Sequence, residues 1–158
     1  MSLRSRRTLI LVSISVIIAL GVVLLSLFEF PLSVTTSANI PGGSLSLGAS
    51  LGVNPQTGAG ILNITVINNS DYPFTSIVIT QVSPSLPGIV GATPFTYNGA
   101  LVSSSNPLPN SAGSAAGSQA FASGGNLAAT YNVTLSITLP NGQVFQQVIQ
   151  RLYPTPSS

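Results

Sequence analysis

Two hydrophobic patterns divide the chain. From Thr8 to Phe28 no residue is charged and most are Leu, Ile or Val, with Ser13, Ser15, Gly21 and Ser26 between them. Beyond Pro31 the apolar residues fall on alternate positions, the period of a β-strand that turns one face inward. As a helix, the first run of about 21 residues spans about 32 Å, the thickness of a bilayer's hydrocarbon core. The pattern predicts an apolar helix over residues 8–30, carried by Leu9, Ile14, Ile17, Leu20, Gly21, Leu24 and Phe28. Residues 1–7 form a basic segment, and Arg4, Arg6 and Arg7 set the topology: the N-terminus in the cytoplasm, the rest outside. A secretory leader has an apolar core of about 7–15 residues, shorter than this one, although "TTSA" offers a cut after Ala38. Three fates stay open: a single-pass anchor, a removed leader, or a filament-core rod whose small residues let helices approach closely.

Residues 31–43 read as a flexible linker and 44–158 as one β domain. Between Ser44 and Val53, Leu45, Leu47, Ala49, Leu51 and Val53 alternate with Ser and Gly. Leu45, Leu47, Leu51 and Val53 therefore mark either the domain's first strand or a strand donated to a neighbouring copy. "ILNITVI" and "TSIVITQV" follow as strands, and then Pro84, Pro87, Gly88, Gly91 and Pro94 punctuate a connection. "FTYNGALV" predicts a hairpin, with Asn98-Gly99 supplying the positive φ angles of a tight turn. From Ser103 to Asn126 the chain is mostly Ser, Gly, Ala, Asn and Pro, which reads as a long surface excursion with one short strand at "SQAFAS".

The last hairpin is the clearest. Val133, Leu135, Ile137 and Leu139 alternate with polar residues, and "PNG" turns the chain. A three-residue loop sets Ile137 opposite Phe145 and Val133 opposite Ile149, leaving Val144, Val148 and Leu152 on the other face for a second layer or a partner to cover. About seven strands and no helical period after Pro31 predict a mainly β protein: an N-terminal apolar helix followed by an immunoglobulin-like antiparallel β-sandwich, without the Cys and Trp of antibody domains.

Charge changes the picture more than composition does. The four cationic residues are Arg4, Arg6, Arg7 and Arg151, and the acids are Glu29 and Asp71. Past Pro31 only Asp71 and Arg151 carry formal charge, and Lys, His and Cys are absent from the whole chain. Nucleic acid is an unsuitable partner, because phosphates call for clustered Lys and Arg. Acid-base and nucleophilic catalysis lack their titratable groups, so the chain reads as no enzyme and without cofactor. A transition-metal site lacks its ligands on the same inventory. Acid unfolding protonates carboxylates, and a domain with so few should be nearly indifferent to pH.

Three Asn-x-Ser/Thr triplets begin at Asn63, Asn68 and Asn132, candidate glycosylation sites. Asn63 and Asn132 fall on strand faces opposite the apolar ones, where a glycan would shield an uncharged surface. Tyr72, Tyr97, Tyr131 and Tyr153 could contact carbohydrate or pack in the core or rim.

The layout of a basic N-terminus, an apolar helix and a low-charge β domain with sequons resembles an archaeal type IV pilin. "ILNITVINNSDYPFTSIVIT" is similar to the strand-turn-strand of immunoglobulin-like archaeal surface domains. The resemblance implies a cut just after the basic residues and a bundle of helices, here about Leu9 to Phe28, with β domains outside. Thr8 stands where that family usually has a small residue, and Glu29 lies at the far end of the helix rather than early in it. The expected function is that of a structural subunit of a pilus-like filament at the extracellular cell surface, used in adhesion. Its partners would be copies of itself, the membrane during assembly or permanently, and a surface glycan or protein. The alternatives are a membrane-anchored surface protein and a secreted subunit assembled by donor-strand exchange.

Overall fold

The computed structural model describes residues 33–158, and among these there is no helix. The basic segment and the helix expected over 8–30, with every residue named for them, lie outside the described residues. Ten strands follow in chain order: β1 (Val34–Ile40), β2 (Gly43–Val53), β3 (Gly60–Ser70), β4 (Ser76–Ser83), β5 (Thr96–Tyr97), β6 (Ala100–Leu101), β7 (Gly113–Phe121), β8 (Tyr131–Thr138), β9 (Val144–Leu152) and β10 (Pro154–Pro156). One sheet runs β1-β2-β3-β7-β5-β6, with β10 also paired to β2; the other is β4-β8-β9. All pairings are antiparallel except β10 with β2.

Alternation dictates which faces meet. Leu45, Leu47, Leu51 and Val53 of β2 and Leu62, Ile64 and Val66 of β3 are buried from one sheet. Ile77, Ile79, Val133, Leu135, Ile137 and Ile149 are buried from the other, and all join a single apolar core. Each such Leu or Ile contributes about 1.5–3 kcal/mol on leaving water. The last hairpin has the expected register, Ile137 against Phe145 and Val133 against Ile149. The Asn98-Gly99 turn has φ of 51° and 78°, as a two-residue hairpin requires.

Three expectations are corrected. Residues 31–43 are not a linker, because β1 occupies Val34–Ile40 and pairs along β2 from Val34 opposite Ala49 to Ile40 opposite Gly43. Its inward set, Val34, Thr36, Ala38 and Ile40, holds the β period with only two bulky residues. The excursion over 103–126 contains β7, nine residues long and flanked in the sheet by β3 and β5. There small residues are a requirement of packing. Ala115 is fully buried, and a Cβ on Gly117 would lie 3.0 Å from Pro94 and 3.1 Å from Phe95. Leu152 does not share a face with Val144 and Val148. The β8–β9 register shifts between Tyr131 and Val133, Arg151 takes φ 56°, and the bulge turns Leu152 into the core.

Loops are tied down by buried polar side chains. Tyr131, at the start of β8, is fully buried, and its hydroxyl accepts from the Asn126 N–H at 2.8 Å and donates to the Gly124 carbonyl at 3.4 Å. Among the described residues no buried side-chain N or O lacks a partner.

Candidate functional site

The outward faces carry what an exported β domain would show to its surroundings. On the larger sheet the outward residues are small or neutral: Ser46, Gly48 and Ser50 on β2, Asn63 and Thr65 on β3, Ser114, Ala116 and Ser118 on β7. On the smaller sheet Val144 and Val148 of β9 are 55% and 39% exposed beside Gln146. Asp71, in the β3–β4 loop, and Arg151, near the end of β9, stand at opposite ends of the sandwich.

The three sequon asparagines are not equivalent. Asn63 is exposed, and its Oδ1 accepts from Ser118 Oγ at 2.6 Å. Asn132 is exposed, and its Oδ1 accepts from the Arg151 N–H at 3.0 Å. In both the oxygen is the engaged atom, whereas a glycan would be joined to the nitrogen. Asn68 is fully buried, and its Nδ2 donates to the Tyr72 carbonyl at 2.8 Å and the Leu108 carbonyl at 3.4 Å. The folded domain has no room for a sugar there, which corrects the reading of Asn68 as a glycosylation site. The same triplet therefore has two meanings, decided by which face of β3 it falls on.

The strand proposed for donation is also relocated. Leu45, Leu47, Leu51 and Val53 lie in β2, which pairs with β3 along its whole length on one side and with β1 and β10 on the other. β2 is neither the first strand nor a free one, so its donation to a neighbour would dismantle the sheet it centres.

Asn68 does more than fill space. Its Oδ1 accepts from the Ser70 N–H at 3.0 Å and from Ser70 Oγ at 2.7 Å, and Ser70 Oγ accepts from the Tyr72 N–H at 3.3 Å. The Tyr72 backbone is thus held at both its N–H and its carbonyl. Asp71 N–H donates to the Gly42 carbonyl at 2.9 Å, fastening this loop to the β1–β2 turn. The Tyr72 ring lies over Gly42: a Cβ there would come within 2.6 Å of the ring, and φ is 80°, so only glycine suits the position.

Between the β1–β2 and β8–β9 turns lies a cleft of about 250 Å³ lined by Pro41, Gly42, Tyr72, Leu139, Asn141 and Gln143. Tyr72 is 49% exposed beside it. Asn141 Oδ1 accepts from the Gln143 N–H at 2.9 Å, closing the turn that forms one wall. In the sequence Tyr72 is only one tyrosine of four; its signal was the "NNSDY" polar cluster, whose Asn68, Asn69 and Ser70 end β3. Of the other tyrosines, Tyr131 is a core residue and Tyr153 is 47% exposed after β9.

Among the described residues no three His, Cys, Asp or Glu side chains gather to hold a metal ion. No known protein family, curated protein or solved structure matches this chain.

Proposed function

We propose that this protein is a structural subunit of an extracellular pilus-like filament, exported with residues 33–158 outside the membrane and assembled through the apolar segment 8–30. The observation that carries the reading is the pairing of a lipid-length apolar segment with a sandwich whose outer faces are almost free of charge. One cation and one anion over residues 33–158 leave no like-charge repulsion to keep copies apart, which suits a polymer more than a freely diffusing monomer. Asn63 and Asn132 are the glycosylation sites of this reading, one on each sheet.

We adopt an immunoglobulin-like topology as the finer description of the fold. The order β2-β3-β7-β5 opposite β4-β8-β9 parallels the ABED and CFG sheets of that class. Tyr131 supports the same assignment, since a tyrosine beginning the sixth strand and bonding to backbone a few residues upstream is that fold's corner device.

Purification from the native surface tests the function. Filaments sheared from cells should contain this chain as their main subunit, with a mature N-terminus near Leu9. Recovery only as a detergent-extracted monomer that begins at Met1 or Ser2 would replace the filament with a single-pass anchor.

A further inference from the structure

We propose that the cleft beside Tyr72 binds one ring of a neutral saccharide, with the tyrosine as its stacking platform. The inference rests on the reading of the domain as an adhesive surface subunit and gives that adhesion a ligand class. A pyranose ring presents a flat C–H face bordered by hydroxyls, so its site needs a fixed aromatic or apolar floor and uncharged hydrogen-bonding groups at the rim. The cleft has both. Tyr72, Pro41 and Leu139 supply apolar surface, and the Asn141 and Gln143 amides can both donate and accept.

Size and charge narrow the class. A cleft of about 250 Å³ is smaller than the ~300–1,000 Å³ of sites for drug-sized ligands, which leaves room for a single ring of a longer chain. Among the described residues no cation lines it, and every side chain of its wall is formally uncharged. Sulfated, phosphorylated and uronic sugars would therefore find no cation to pair with, while a neutral hydroxyl would meet amide donors and acceptors. A protein partner needs far more surface, since stable interfaces bury about 800 Å² on each side.

Rigidity is the strongest argument. The domain buries Asn68 and Ser70 completely or nearly so, and each makes a hydrogen bond to the backbone of half-exposed Tyr72. With the main chain of the loop fixed in this way, little backbone freedom is lost when a ring stacks on the tyrosine, so more of the contact energy appears as affinity.

The test uses the full chain in a polyoxyethylene detergent, whose headgroup is not a sugar, titrated calorimetrically with maltohexaose, cellohexaose and mannohexaose, and with polygalacturonate as the anionic control. At least one neutral oligosaccharide should bind and polygalacturonate should not. Tyr72→Ala should weaken binding by about tenfold or more, Tyr72→Phe by less than about threefold, and Tyr153→Ala, at the other end of the sandwich, not at all. Gln143→Ala, at an exposed rim position, should weaken binding by about threefold, and it reads the site independently if Tyr72→Ala lowers the melting temperature. The proposal is overturned by no binding to any neutral probe, by preference for polygalacturonate, or by equal losses in Tyr72→Ala and Tyr153→Ala. Native filaments that contain the chain but bind no neutral sugar would sink this inference and leave the filament reading standing. Sugar binding by a chain recovered only as an anchored monomer would do the reverse.

Discussion

The two ends of the sandwich solve one problem with different side chains, and the contrast separates what serves the fold from what serves the surface. At the end where β8 begins, Tyr131 puts its whole ring into the core and uses its hydroxyl to hold Gly124 and Asn126. At the end where β3 leaves its sheet, Asn68 has little apolar bulk to bury and spends its amide on Ser70, Tyr72 and Leu108. The first anchor joins a loop to the core. The second holds an aromatic residue out in solvent. A buried polar group that stabilises only a loop can be replaced by apolar packing at small cost, whereas one that aims an exposed side chain cannot be replaced without losing the aim.

Truncation at the core end should be the more damaging change. Tyr131→Ala removes a fully buried ring and leaves the Asn126 N–H without its acceptor, costing about 3–5 kcal/mol. Thermal unfolding followed by circular dichroism should show a drop of ten degrees or more, at about 2–8 °C per kcal/mol for a domain of this size. A drop of only a degree or two would mean that the ring is not part of the core. Asn68→Ala comes next. It strips partners from the Tyr72 and Leu108 carbonyls and from Ser70, for about 2–3 kcal/mol. What sharpens the comparison is location. Amide exchange should speed up around 70–74 in Asn68→Ala and around 124–126 in a milder Tyr131→Phe variant, which loses about 1 kcal/mol with its hydroxyl. Faster exchange at both ends in either variant would show that the two anchors are not independent.

These two ends were also unequally legible in the sequence. β2 and β8 could be read directly, because bulky residues such as Leu47 and Leu135 repeat every second position against Ser, Gly and Thr; β9 could be read as far as Ile149, before the bulge that turns Leu152 inward. β1 and β7 could not. Their inward positions include Thr36, Ala38, Ala115 and Gly117, too small or too polar to signal burial, and chosen because neighbours such as Phe95 fill the space instead. Asn68 looked like a sequon, and nothing local distinguishes it from Asn63; the difference is that five residues along a strand reverse the face. Tyr131 was visible only as one tyrosine of four that could contact carbohydrate or pack in the core or rim, since the loop atoms that its hydroxyl meets are fixed by the turn of the chain between β7 and β8. The cleft was the least legible feature, being assembled from turns about 30 and 70 residues apart in the chain.

The smallest expected effect is that of acid, and it bears on the same comparison because each end of the sandwich carries one formal charge, Asp71 beside Tyr72 and Arg151 beside Tyr131. Stability changes with pH only through the difference in protons bound by the folded and unfolded chains. The whole chain has two side-chain carboxylates, Glu29 and Asp71, where a typical soluble domain of this size has many. Denaturant unfolding at pH 7 and pH 2 should therefore give stabilities within about 1–2 kcal/mol of each other. A loss of several kcal/mol on acidification that survives Asp71→Asn cannot come from a carboxylate side chain of the sandwich. It would have to come from the chain's terminal carboxylate or from Glu29, and Glu29→Gln separates the two.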